Sequence, residues 1–287
     1  MDKYIRRLRD RFRGYRRDPL SLVIAFGVYA SILITAVTLF FILAYILING
    51  IPYLKASLFS FTYTSENVSL FPAIVTTIYM TLLALIISAP LGIFCAIYLV
   101  EYAKRGNKLV SVIALATETL SGIPSIIYGL FGLLFFVSRL KWGYSLLAGA
   151  FTLGIMILPL IIRSTEEALK SVPDMYREAS FGLGAGRLRT VFLIVLPPAV
   201  PGILAGVILA VGRIVGETAA LIYTAGTVAQ IPESVFNSGR TLSIHMYSLS
   251  SEGLHTGEAY ATGVVLLVTV FLLNSLSGYI AKKVAKR

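Results

Sequence analysis

Two polar constellations stand out in a chain that is otherwise apolar. The first is Arg213-Ile214-Val215-Gly216-Glu217-Thr218, which lies inside an apolar run. In a continuous helix, residues four apart share a face, so Arg213 and Glu217 are expected side by side. An ionisable group inside a membrane span costs about 3 kcal/mol on insertion scales, so it normally faces a polar interior. A guanidinium offers a planar fork of N–H donors that fits the oxygens of a tetrahedral oxyanion. The expected chemistry is therefore passage of an anion, with Glu217 orienting Arg213 or releasing it as a gate changes state. A pair kept for packing between helices is the other use of the same residues. A smaller set, Glu118 with Ser121 and Ser125, surrounds Gly122-Ile123-Pro124 in an earlier apolar run.

The second constellation is Glu178-Ala179-Ser180, then Gly184 after three intervening residues, then Ile194-Val195-Leu196-Pro197 after nine more. It is a polar, glycine-punctuated stretch between two long apolar runs. Ser171-Val172-Pro173-Asp174 predicts a helix start, with a capping hydroxyl, proline in the first turn and a carboxylate at the positive helix end. Gly182, Gly184 and Gly186 then predict a break, because glycine permits positive φ. Arg187 and Arg189 open a second arm. Pro197, Pro198 and Pro201 are expected to decouple that arm from the next span. The whole reads as a rigid knob on a proline hinge, able to turn a partner's closure into rotation of membrane helices. An ordinary long loop is the alternative.

The elements that hold these residues are membrane spans. The chain has 287 residues, of which 57% are hydrophobic and 14% charged, with mean hydropathy +0.83. That composition belongs to a polytopic membrane protein. Six apolar segments are read, at about 20–48, 71–100, 109–137, 144–162, 200–228 and 259–280. Each is long enough for a hydrocarbon core of roughly 30 Å at about 1.5 Å per residue. Pro90 and the Gly122–Ser125 stretch predict kinks in the second and third, because proline removes a backbone donor. Paired broken helices point to a transport pathway. The expected fold class is all-α with six transmembrane helices. The expected organisation is a basic tail at 1–19, a first span at 20–48, and a core at 71–285 that carries the polar loop at 164–197.

Charge sets the orientation. Of 25 Lys and Arg residues, 20 fall in the N-terminal tail, the second-to-third and fourth-to-fifth connections and the C-terminus. The other connections hold only Lys55, Arg139, Lys141 and Arg240. The positive-inside rule places both termini and the Glu178 loop in the cytoplasm. The net charge of +11 is thus a topology signal rather than a nucleic-acid footprint. The first apolar run far exceeds the roughly 7–15 residues of a signal-peptide core, so an uncleaved span is expected. The basic tail before it suits anionic lipid headgroups. The lone Cys95 admits no intrachain disulfide, and two well-separated histidines suggest no metal site.

The Glu178 spacing resembles the "EAA" loop of ABC-importer permeases, with Ser180 standing where a second Ala is usual. Three further stretches resemble the PstA-type permeases of phosphate importers. They are Gly216-Glu217-Thr218-Ala219 after Arg213, Gly122 to Gly129, and Arg240-Thr241-Leu242-Ser243-Ile244-His245-Met246-Tyr247. Ala220 stands where that family often has proline. The resemblance runs from about Ile74 to the C-terminus. It implies a type I ABC-importer permease fold in a prokaryotic inner membrane, with this chain as half of a translocation pathway. The implied partners are a second, PstC-like permease, a dimeric PstB-like ATPase and an extracytoplasmic PstS-like phosphate-binding protein. Arg213, Glu217, Thr218, Glu118, Ser121 and Ser125 are then the expected pathway residues. Glu178, Ala179, Ser180, Gly184, Arg187, Leu196 and Pro197 are the expected ATPase-coupling residues.

No glycine-rich nucleotide loop with Lys and Ser/Thr is present in the sequence, so no cofactor is expected on this chain. ATP and magnesium belong to the expected partner ATPase. Three alternatives stay open on the sequence: the sister PstC-type permease, a permease for another oxyanion such as molybdate or sulfate, and a membrane scaffold that transports nothing.

Overall fold

The computed structural model describes residues 19–104, 106 and 108–285. The basic tail read from the sequence therefore lies outside the described residues, apart from Pro19. The described chain is helical. It divides into two units, residues 1–49 and residues 50–287. All but the last residue of helix α1, Pro19–Gly50, falls in the first; the helix is apolar on all faces and long enough to span.

The second unit holds the remaining helices. Helix α2 is Phe71–Ile97 and runs on through a π-helical turn, Tyr98–Tyr102. Helices α3 (Lys108–Ser121) and α4 (Ser125–Gly132) follow, and α4 continues as a π-helix, Leu133–Arg139. Helix α5 is Leu146–Lys170. Two short arms, α6 (Asp174–Gly182) and α7 (Arg187–Thr190), lead through a π-helical turn, Val191–Val195, into α8 (Leu196–Gly216). A single turn, α9 (Ala219–Ile222), then α10 (Leu242–Glu252) and α11 (Thr256–Ala285), complete the chain.

Among the described residues, five helices are long and apolar enough to cross a membrane, and the bent pair α3–α4 brings the total to six if it counts as one span. Hydrogen bonds decide that it does. Glu101, just before α3, contacts Arg177 of α6, so these residues share one end of the bundle. At the other end, beyond α4, Ser145 N–H donates to Thr224 O and Leu146 N–H to Asn237 O. The α3–α4 pair therefore leads from one end to the other, despite a bend of 105°.

The bundle is built round α5. Of its apolar window 67% is buried, against 33% for α2, 28% for the α7–α8 span and 11% for α11. Met80, Leu153, Ile157, Ile161, Ile214 and Leu221 form the main core. Small residues bring the backbones close, as membrane packing requires where lipid supplies no hydrophobic drive. A Cβ on Gly92 would fall 2.7 Å from Ile161 Cγ2, and one on Gly129 2.9 Å from Ala220 Cα.

Several sequence expectations change. The fourth span reaches Lys170 rather than Ile162: the helix extends into the polar loop with Thr165, Ala168 and Leu169 buried along one side. Helix α2 is unbroken across Pro90. The fifth span ends at Gly216, not Val228, because Glu217 turns out of the helix with ψ 129°. The proline hinge is absent. Pro197, Pro198 and Pro201 lie within a continuous helical path from Arg187 to Gly216, just after the π-helical turn at Val191–Val195.

Candidate functional site

Two helix breaks meet in the bundle. The first separates α3 from α4 at Gly122–Pro124, and the second separates α8 from α9 at Glu217–Thr218. They are joined at Gly129, whose Cα hydrogen approaches Ala220 too closely for any side chain, and at Gly132, where a Cβ would strike Thr152 and Thr224. A break inside apolar surroundings must find donors for its freed carbonyls. Tyr128 Oη donates to Leu120 O at 2.6 Å, and Ser121 Oγ to Glu118 O at 2.7 Å. Ser243 Oγ donates to Glu217 O at 2.6 Å. The third-span motif, the Gly216–Ala219 motif and the outer Arg240–Tyr247 motif are thereby tied into one assembly.

Arg213 sits in the last turn of α8, where a cation favours the negative helix end. Its side chain is exposed on the surface of the single chain. Glu118 and Ser121 are exposed as well, while Ser125, Glu217 and Thr218 are half-buried. The expected Arg213–Glu217 pair does not form among the described residues. Glu217 has left the helix, so the four-residue spacing no longer places it beside Arg213. Its Oε1 instead accepts the Ala220 N–H at 3.0 Å and caps α9.

On the outer side of this assembly, Arg240 and His245 are 6% and 0% exposed. Leu242 N–H donates to Thr77 Oγ1 on α2 at 2.9 Å, which fixes the start of α10. His245 Nε2 lies 3.2 Å from Val68 O. Burial, and then the Arg240 charge, lower its pKa to about 4, so it is neutral at ordinary pH.

The knob occupies the opposite end. Asp174 opens α6, but Ser171 does not cap it; its hydroxyl turns back to Ala168 O at 2.7 Å. Gly184, at φ +81°, ends the arm. Ala185 N–H reaches Ser180 O and Gly184 N–H reaches Phe181 O, the paired closing bonds of a helix ended by left-handed glycine. Ser180 is buried and its hydroxyl bonds Thr190 Oγ1 at 2.8 Å, locking α6 to α7. That is a use for the hydroxyl that an alanine would lack. Glu178, Ala179, Gly184 and Arg187 face outward, while Leu196 and Pro197 begin α8. Around them Met175, Tyr176, Leu183 and Leu188 are exposed, from 54% to 89%. A cleft of ≈ 440 Å³ opens between Tyr176, Ser180, Gly184 and Arg189. Apolar side chains exposed on a polar knob suit a protein groove.

The pairing of Arg177 on the knob with Glu101 at the end of α2 escaped the sequence. Arg177 Nη2 meets Glu101 Oε1 at 2.7 Å, and its Nε lies 3.1 Å from the same oxygen. The same guanidinium donates to Val172 O, Leu169 O and Asp174 Oδ1. The hydrogen bond to Glu101 chiefly raises the Arg177 pKa, against the opposing effect of burial. Arg187 adds a contact over the Tyr102 ring at 5.9 Å. Both arms thus grip the end of α2, above a cluster of Ile97, Leu169, Val172, Val191 and Val195. Arg177 and Glu101 lie 76 residues apart, so spacing carried no signal of the pair.

Residues 88–286 match the model of the family described as "Binding-protein-dependent transport system inner membrane component". The chain is 34% identical over 283 residues to the "Probable ABC transporter permease protein YqgI" of Bacillus subtilis (strain 168), covering 91% of this chain and 94% of that one. It is 33% identical over 205 residues to the "Phosphate transport system permease protein PstA 1" of Mycobacterium tuberculosis (strain ATCC 25618 / H37Rv), covering 70% and 66%. In three dimensions it resembles a chain of a bacterial ABC transporter involved in the import of the acidic polysaccharide alginate. The TM-score is 0.68 at 16% identity, over 95% of this chain and 98% of that one, which establishes a shared fold.

The grip on α2 has a measurable consequence. Arg177→Met leaves Glu101 buried without its partner, at a cost of about 3–5 kcal/mol. Asp174, with 85% of its side chain exposed, is a weak partner, and Asp174→Asn costs about 0–1 kcal/mol. Hydrogen exchange of the amides of residues 174–190 in detergent checks this. Protection collapses in Arg177→Met and holds in Asp174→Asn.

Proposed function

Since the chain belongs to the family of binding-protein-dependent transport system inner membrane components, we propose that it forms half of the pathway of an ATP-driven phosphate importer. It is a membrane permease subunit of an ABC importer, not an ATPase. The phosphate reading is supported by the likeness to PstA 1 and carried by one observation: Arg213 stands exposed where two broken helices meet. A guanidinium there can bind a tetrahedral oxyanion or lower the barrier to its passage, and a low local dielectric strengthens either effect. Glu118, Ser121, Ser125 and Thr218 line the approach, while Glu217 holds the break open by capping α9. The pathway face is open on this chain alone, and a second, PstC-like permease closes it.

The energy comes from a partner. The knob docks in a groove of a dimeric PstB-like ATPase, which uses ATP and magnesium. Glu178, Ala179 and Arg187 present the polar contacts, and Gly184 and Ser180 keep the knob's shape. Both termini and the knob lie in the cytoplasm, and a PstS-like binding protein delivers phosphate from the other side. Molybdate or sulfate is the competing cargo.

Radiolabelled uptake by the assembled importer, competed by molybdate and sulfate, tests the cargo. Arg213→Gln abolishes phosphate uptake while the complex still assembles, and Arg213→Lys restores only part, because the fork of donors is lost. Uptake in Arg213→Gln at the wild-type rate overturns the pathway role.

Gly184→Leu tests the knob. No atom stands within 4 Å of its Cβ position, so the chain itself has room, but φ of +81° strains any side chain. The variant inserts and assembles poorly with the ATPase, and transport falls at least about tenfold, the equivalent of roughly 1.4 kcal/mol. ATP-coupled uptake at the wild-type rate contradicts this.

A further inference from the structure

Arg240 is a buried arginine with no acid to answer it. It is 6% exposed, its Nε has no hydrogen-bond partner, and it joins no ion pair among the described residues. Its guanidinium instead lies over the Tyr63 ring, 4.7 Å from the centroid. Five buried polar atoms among the described residues lack partners, and three of them belong to this neighbourhood: Arg240 Nε, His245 Nδ1 and Thr76 Oγ1. The His245 ring meets the Tyr63 ring edge-on at 6.1 Å. Thr76 Oγ1 lies 3.3 Å from the Cβ position of Gly239, the residue before Arg240. A buried cation without a counter-charge is costly, and replacing it by an apolar residue is often neutral or stabilising. A site that keeps such a group, with neighbouring polar atoms also unanswered, is built for something that supplies the missing partners.

We propose that Arg240, Thr76 and His245 form an outer receiving site for a tetrahedral oxyanion, which passes it inward to Arg213. The proposal rests on the reading of the chain as an oxyanion permease. The connection is physical: Ser243, three residues after Arg240, donates to the Glu217 carbonyl at the break beyond Arg213. The guanidinium supplies charge and a fork of donors, and the Thr76 hydroxyl adds one more. His245 narrows the ligand class. A carbonyl can only accept, so the Nε2 that faces Val68 O carries the proton and Nδ1 is left as an acceptor. An acceptor within a set of donors suits an oxyanion that still bears a proton, as phosphate does near neutral pH and sulfate does not. A site that hydrogen-bonds a ligand hydroxyl discriminates strongly against ligands lacking it.

The ligand reaches Arg240 when the segment 229–238 lifts away. That segment is exposed at most positions; it is held at its base by Gly239 N–H to Ala225 O, Arg240 N–H to Val228 O and Ser238 Oγ to Ala225 O, and at its middle by Leu146 N–H to Asn237 O and Leu147 N–H to Val235 O, and these bonds open when it lifts.

The decisive variant is Arg240→Met in the assembled importer, reconstituted with its binding protein. Two quantities are read together, radiolabelled phosphate uptake and the thermal midpoint of the purified complex. The expected result is uptake down at least about tenfold with a midpoint unchanged or raised, since a buried charge has been replaced by an apolar chain of similar length. Retained uptake overturns the proposal. So does lost uptake with a lowered midpoint, because that is the mark of a purely structural arginine. His245→Phe lowers phosphate uptake several-fold and lets sulfate compete; unchanged uptake and selectivity remove the acceptor and its argument for a protonated ligand. The phosphate reading fails separately, if wild type carries only another oxyanion. The receiving site then still stands if Arg240→Met loses that uptake.

Discussion

A helix interrupted inside a membrane must satisfy the carbonyls it frees from within the protein. That constraint organises this chain. Tyr128 serves Leu120, Ser121 serves Glu118, Ser243 serves Glu217, and the Glu217 carboxylate serves the Ala220 amide. The Ser243–Glu217 bond also joins two motifs that lie apart in the sequence. The break in the third span is held against the break in the fifth, and the fifth is held to the outer segment that carries Arg240. The glycines at 129 and 132 are the steric half of the same arrangement, since any side chain there would push α4 away from α9 and α5.

The knob is joined to the bundle by a different kind of interaction. Leu169, Val172, Val191 and Val195 form an apolar base, and the Arg177–Glu101 pair fastens it to the end of α2. Nearly all of the guanidinium's donors are used, which is the condition under which a buried ion pair holds a unique geometry rather than merely costing desolvation. Helix α2 then reaches the far side, where Thr77 accepts the Leu242 amide at the start of α10. One helix is therefore bonded to the knob at one end and to the outer segment at the other. Movement of the knob has a direct path to the residues that face the opposite compartment.

Much of this was legible in the sequence, and the reasons differ by residue. Gly184 announced a left-handed helix end because glycine alone takes that conformation at little cost. Gly122-Ile123-Pro124 announced a break, though not its 105° angle, which depends on what α4 packs against. The spacing of Arg213 and Glu217 misled, because the periodicity argument assumes an unbroken helix and the helix ends between them. Proline at 197 misled in the opposite sense: it reads as a breaker, yet the helical path runs on through it, just after the π-helical turn at Val191–Val195. The Glu101–Arg177 pair and the Thr76–Arg240–His245 neighbourhood were beyond reach, since their partners are brought together only by the fold.

The central claim is that the two helix breaks meet on an anion pathway. It is tested most directly by thiol labelling in a Cys95→Ser background, with Ser125→Cys and Thr218→Cys placed one on each break and the importer assembled. The account predicts that both positions react with an anionic methanethiosulfonate faster than with a cationic one, and that phosphate slows both reactions. Labelling indifferent to reagent charge and to phosphate at both positions would contradict it.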